Sequence, residues 1–510
     1  MQIYPIHPSF TAGACFELAV QPNRRFSIAI YQQQDDDLLT SLCGVIVTGT
    51  HDVTGNLIDG KYMFESAGNS TSMPFDKDWN WPTVTIKPNT PTLHSGAYVV
   101  IAYEVEADGK PTSELGRYCV AHQSVFAARP ASDSMALVIA RPRTPTAPLA
   151  YIIPTATYHA YNSTGGGSFY LDRVHRYRPA TKVSLRRPGG GLGARLGEPV
   201  DPYDTRSTRQ QFTHWDAKFI RWLRKEGLAC DFYTDLDLHS ATALDLTRYR
   251  CMLSVGHHEY WSEEMREHVT RFIAQGGNLA VFSGNTCYRP VRFTGADTGQ
   301  VTEMHKLAED WELLKEKLNA DPRVSGNESN LIGLTYNHGG GHWGEWSRWR
   351  RRWVKREREA IGFTVRRPEH WVFAGTELRK DETFGAEDRL VGYEVDGVPP
   401  GQPHDGFETL AVTKKLTGWE MGGAGAIGTF RLQMQGGRRS SGEVFNVGTT
   451  DWPRVLMDST AKSNFVVQRI TRNVIRHYIG LEAENASQRD DVLPETTHAT
   501  NEAALQTDAS

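Results

Sequence analysis

The chain has 510 residues, 39% of them hydrophobic and 10% aromatic, enough apolar material for two or three folded domains. Its 56 basic and 60 acidic residues leave a net charge of -4, which excludes a general electrostatic attraction to nucleic acid or to an anionic membrane. No apolar run approaches the length of a membrane span, and residues 1–10 lack the basic start and apolar stretch of a signal peptide. Six cysteines stand at 15, 43, 119, 230, 251 and 287 with no CxxC pair. That excludes a zinc ribbon or a disulfide framework and points to reduced thiols in the cytoplasm.

Residues 1–140 read as β-structure. Short apolar runs at 15–20, 26–31, 44–47, 83–86, 97–103 and 119–125 are separated by Gly and Pro, without helical periodicity. Short strands at this spacing predict an Ig-like β-sandwich. Residues 128–148, with four prolines, read as a linker. From about 145 to 480 the pattern is α/β. Tyr151-Ile152-Ile153 begins a strand, and a Gly-rich irregular stretch follows. Phe212, Trp215, Phe219, Trp222 and Leu223 then share one helical face, which Gly227 ends. Strands are predicted at 229–233, 250–255 and 278–282, with a helix between the last two that Ser262 caps. This alternation implies a parallel sheet covered on both faces.

Residues 300–360 read as partly helical. Within them Trp343, Trp346 and Trp353 share a helical face among arginines over 343–358, which predicts a packed helix or a subunit contact. Strand-like pieces follow at 371–373, 390–394 and 410–413. A last helix carries Phe465, Val466, Ile470, Val474 and Ile475. The polar tail 481–510 reads as disordered.

Ligands of an open parallel sheet bind outside the carboxyl ends of its strands. Two motifs fall there: Gly256-His257-His258-Glu259-Tyr260-Trp261 and Ser283-Gly284-Asn285-Thr286-Cys287. Two histidines beside a glutamate suit a metal or acid/base chemistry. The alternative is that Glu259 caps the next helix and the histidines satisfy nearby carbonyls. A third motif, residues 156–170, places Tyr158, Tyr161 and Tyr170 in a Gly-rich loop. Phenolate oxygen is a hard donor suited to ferric iron; the same aromatics could also simply pack under the loop. No nucleophile elbow surrounds Cys287, which reads as a buried, inert thiol.

The runs at 158–162, 183–188, 256–262, 283–286, 370–376, 391–397 and 445–452 together resemble the C-terminal part of the N,N-dimethylformamidase large (β) subunit over residues 145 to 480. The resemblance implies a glutamine-amidotransferase-like (flavodoxin-like) α/β domain without its cysteine nucleophile. It implies hydrolysis of a small amide with mononuclear iron held by two tyrosines and one glutamate. The glutamate falls on Glu259, the first tyrosine on Tyr161 with Tyr158 as competitor, and the second on Tyr170 with Tyr177 and Tyr203 as alternatives. The family's histidine and asparagine fall on His257 and Asn285, which would position a water or stabilise an oxyanion. The loop between the tyrosines is shorter here than in that enzyme. The implied partners are a small-molecule amide and either a small subunit or further copies of the chain. The rival expectation is a non-catalytic binding or scaffold protein.

Overall fold

The computed structural model describes residues 1–33, 40–41, 45–49, 53–58, 61–66, 73–88, 93–120, 134–175, 180–194, 208–295, 301–307, 328–347, 352–354, 359–401, 406–432, 441–457 and 461–481. It is a mixed α/β chain with many sheets and few helices. The tail expected to be disordered, from 482 onward, lies outside these residues, as do Tyr177 and Tyr203.

Two sheets formed within residues 3–141 share one apolar core, which includes Ile3, Phe16, Leu18, Val84, Tyr98, Val100 and Val138. The strands Gly96–Glu104 and Met135–Arg141 pair antiparallel at the centre of the larger sheet. Val99, Ile101, Leu137 and Ile139 on their other face enter the core of the α/β region. Residues 135–141 are therefore a strand buried on both faces, not part of a linker. Their unbroken apolar run is what a doubly covered strand requires, and the flanking prolines only punctuate it. A second correction falls at Cys119. It lies in the helix Glu114–Val120 rather than in a strand.

The α/β region is built on β1 (Leu149–Ile153), β2 (Cys230–Thr234), β3 (Cys251–His257), β4 (Asn278–Gly284) and β5 (Glu443–Asn446). All four neighbour pairs are parallel, and the order across the sheet is 2-1-3-4-5. Antiparallel strands Ala426–Arg431, Glu408–Val412, Phe363–Val365 and Thr383–Phe384 extend the edge beyond β5. The helices include α1 (Thr155–Tyr161), α2 (Asp216–Lys225), α3 (Asp235–Ser240), α4 (Glu263–Ala274) and α5 (Ala461–Ile479). The order of the strands reverses between β1 and β3, so a crevice opens at their carboxyl ends.

Three expectations change. Residues 155–161, read as loop, form α1, so Tyr158 and Tyr161 stand on a helix. Trp371–Phe373 is a single tight helical turn rather than a strand. Residues 343–358 are not one helix: Glu345–Ser347 pairs antiparallel with Arg352–Val354, with Trp346 opposite Trp353. A seven-residue spacing is two helical turns, but it also sets two residues opposite each other across a hairpin. Among the described residues no helix is long and apolar enough to cross a membrane.

Asp216, in the first turn of α2, ties this region together. It is fully buried and accepts from Tyr151 of β1 at 2.9 Å and also from Tyr158 of α1. Burial pushes its carboxyl up to about 7. Asp216→Ala leaves two buried hydroxyls without their acceptor and should cost about 3 kcal/mol in denaturant unfolding. Between the unfolded value near 4 and the folded value, only the folded chain holds the proton. Wild type should therefore gain stability as pH falls from 8 to 5. Asp216→Asn should not show that gain, and parallel pH profiles for the two proteins would contradict this assignment.

Candidate active site

β1 and β3 end side by side, and the chain leaving each supplies the site. After β1 the chain enters α1, which closes on Tyr161. After β3 it turns through His258 and Glu259 to Tyr260 and Trp261, which pair with Arg289 and Pro290. The Glu259 and Tyr260 amides both donate to the Thr157 hydroxyl of α1, at 3.0 and 3.3 Å, which fixes the two segments to one another. Gly256 has φ +69, and a Cβ there would lie 2.5 Å from Cβ of Trp215. Only glycine lets that indole pack against the strand end, where its ring meets His257 edge-on.

The Glu259 carboxylate is the hub. Tyr161 donates to Oε2 at 3.0 Å, and Tyr170 lies 3.0 Å from both carboxylate oxygens. Arg289 Nε reaches Oε1 at 3.2 Å. Tyr260 donates to the Tyr170 hydroxyl at 2.6 Å. The rings of Tyr161 and Tyr170 stack with centroids 4.4 Å apart. Glu259 is 1% exposed and Tyr161 6%, whereas Tyr170 is 43% exposed and marks the open side. Burial, and next the Glu259 charge, push all three phenols well above their usual range.

A second cluster touches the first through His257. Its Nδ1 donates to Gln210 Oε1 at 2.6 Å, and its Nε2 stands 2.7 Å from Glu394 and 3.5 Å from Glu259. Burial alone would lower its pKa, but Glu394, Glu259 and Asp396 together raise it. Burial likewise acts against the Glu394 charge, and His257 outweighs it and holds that carboxyl low. Asn285 Nδ2 donates to the same Glu394 oxygen at 2.9 Å. Its Oδ1 is buried with no partner among the described residues. Gly284 makes this possible: a Cβ there would lie 2.8 Å from the Glu394 carbonyl oxygen.

The structure thus brings Tyr161, Tyr170, Glu259, His257 and Asn285 into one group. Tyr158, the competing first tyrosine, turns away to Asp216. Ser262, not Glu259, caps α4, accepting from the Met265 amide at 3.3 Å. His258 joins Ser254 at 2.9 Å and Asp235 at 2.6 Å. That is the bonding order of a nucleophilic triad, but all three residues are sealed from solvent, so it serves as a brace. Cys287 is also sealed, and burial pushes its thiol up to about 12. Sequence reasoning missed Glu394, Gln210, Tyr260 and Arg289. Glu394 lies in one of the runs that carried the resemblance, Tyr260 lies within the first strand-end motif, and Arg289 stands two residues after the second.

Among the described residues no group of three or more His, Cys, Asp or Glu stands ready to hold a metal. A metal here would rest on phenol oxygens. The oxygens of Tyr161, Tyr170 and Glu259 fit such a role: ligands about 2 Å from one ion stand about 3 Å from each other. A cavity of about 600 Å³ lined by Arg143, Ile220 and Asp231 opens at the amino ends of β1 and β2, far from these groups.

Fold and site define an α/β protein whose buried carboxylate–phenol centre sits at the carboxyl ends of parallel strands. Residues 61–464 match the family model described as N,N-dimethylformamidase beta subunit-like, C-terminal, and the chain belongs to that family. The match starts earlier than the motifs did, inside the N-terminal sheets. The curated proteins contain no match to the chain.

Arg187 holds the tyrosine-bearing segments in place. It is fully buried and donates to the carbonyls of His159 at 2.8 Å, Thr164 at 2.9 Å, Gly167 at 3.0 Å and Ser184 at 3.0 Å. The first three carbonyls belong to α1 and to the loop leading to Tyr170, and Ser184 ends the strand Lys182–Ser184. Arg187→Lys keeps the charge but not the planar fork. We expect a folded protein in which residues 162–175 are cleaved about tenfold faster by a probing protease, since opening governs such cleavage. An unchanged cleavage rate would remove Arg187 from this role.

Proposed function

We propose that the chain is an iron-dependent hydrolase of an amide C–N bond. The convergence of the Tyr161, Tyr170 and Glu259 oxygens at 3.0 Å carries the reading. Family membership supports the amidase chemistry. The strand order 2-1-3-4-5 supports a glutamine-amidotransferase-like (flavodoxin-like) domain, with its centre at the switch point between β1 and β3. Two sheets over one core support an Ig-like sandwich ahead of it. Free cysteines at 119, 251 and 287, all buried, suit the cytoplasm.

A ferric ion held by Tyr161, Tyr170 and Glu259 would supply Lewis-acid polarisation of the carbonyl or acidify a water. The chain's own residues handle the protons. With Nδ2 engaged by Glu394, Asn285 presents Oδ1, an acceptor that orients a water O–H. Glu394 takes one proton from that water, His257 donates one to the amine nitrogen, and the proton then passes from Glu394 to His257 to restore the pair. A C–O bond forms at the acyl carbon, the C–N bond breaks, and a carboxylic acid and an amine result, which become a carboxylate and an ammonium ion when the acid's proton passes to the amine. Gln210 holds the imidazole ring for this exchange through Nδ1.

Reconstitution of the purified chain with ferric ion should give a visible phenolate-to-iron absorption band and formamide hydrolysis. Glu259→Ala should abolish both while circular dichroism stays native. Glu394→Gln should keep the band and lower kcat by about 100-fold, the scale of a lost proton-transfer group. A protein that stays colourless and iron-free after reconstitution sinks the iron assignment.

A further inference from the structure

Lys306 ends the strand Val301–Lys306, which runs antiparallel to Arg289–Gly295. Its ammonium donates to the Phe169 carbonyl at 2.6 Å. It also stands 4.8 Å from the Phe169 ring centre and 5.5 Å from that of Tyr170. It therefore sits on the open side of the site, beside the most exposed phenol. The site carboxylate nearest this side, Glu259, is matched by Arg289 at 3.2 Å. Among the described residues no carboxylate stands within ion-pair distance of Lys306. Burial, and next the like charge of Arg289, pull its pKa down to about 8. A cation partly removed from water without a counter-charge is costly, and an arriving anion relieves that cost.

We infer that Lys306, beside Arg289, receives the carboxylate of a substrate whose amide group lies at the Tyr161, Tyr170 and Glu259 oxygens. The substrate class is then amides that carry an acid group, such as N-acyl amino acids, rather than small neutral formamides. This rests on the amide-hydrolase reading and narrows it. The charge acts on selectivity: an acid and a neutral amide differ chiefly in what they offer Lys306.

The test compares the full chain, reconstituted with ferric ion, on N-formylglycine, 4-formamidobutanoate and N-methylformamide. At least one acid should be preferred over the neutral amide by tenfold or more in kcat/KM. Lys306→Met should lower that preference by about 10- to 100-fold, mainly through KM, and Lys306→Arg should restore most of it. An acid-to-neutral ratio unchanged in Lys306→Met overturns the inference. Calorimetric binding of both acids to wild type and Lys306→Met separates the two readings. Binding that weakens in the variant, with no hydrolysis of any amide, supports the anion site and sinks the hydrolase. Hydrolysis of N-methylformamide with no binding of either acid sinks the anion site and leaves the hydrolase standing.

Discussion

Everything at this site depends on one buried carboxylate. Glu259 is withdrawn from water at the carboxyl end of β3, and an uncompensated charge there would cost several kcal/mol. Arg289 and the hydroxyls of Tyr161 and Tyr170 provide the compensation, and each arrives from a different segment. The chain after β1, the Gly-rich loop and the strand starting at Arg289 are therefore held in register by a single side chain. Their spacing follows from the need to satisfy its two oxygens.

The second requirement is that these segments not collapse when the hub is perturbed. Arg187 and Asp216 meet it from either side. Arg187 gathers carbonyls from α1 and the tyrosine loop, and Asp216 joins β1, α1 and α2 through two phenols. The segment ahead of the strand Thr83–Pro88 contributes as well: the Phe75 amide donates to the Gly165 carbonyl at 3.2 Å, and the Ser184 amide donates to the Phe75 carbonyl at 2.9 Å. The loop that carries Tyr170 is thus braced by backbone from outside the α/β sheet.

The parallel strands were legible because each is a continuous apolar run, and the strand-end motifs because polar residues stop those runs. Where the pattern misled, a competing geometry shared the same spacing. Trp346 and Trp353 suit either two helical turns or facing hairpin strands, and pairing decided it. Tyr158 and Tyr161 lie three residues apart, one bonded to Asp216 and the other to Glu259, and no local rule separates them. Glu394 was hidden for a different reason. It lies 135 positions after Glu259, and only the close approach that Gly284 permits brings it to His257.

The two halves of the site hold their protons in opposite ways, and the difference follows from composition. Around Glu259 burial keeps every phenol neutral, so the protons lie on oxygen and point at the carboxylate. Around His257 the carboxylates outweigh burial and push the imidazole's pKa up, while His257 holds the Glu394 carboxyl low. Under the proposed function, a hard cation can enter the first half only as phenol protons leave, since metal binding and ligand deprotonation are one linked event. The second half is not built of such donors. Its charges already balance in a close pair, which Asn285 Nδ2 and Gln210 Oε1 orient. A single pocket therefore separates the groups suited to polarising a carbonyl from those suited to carrying a proton, and His257, 3.5 Å from Glu259 and with its ring 5.7 Å from that of Tyr161, links them.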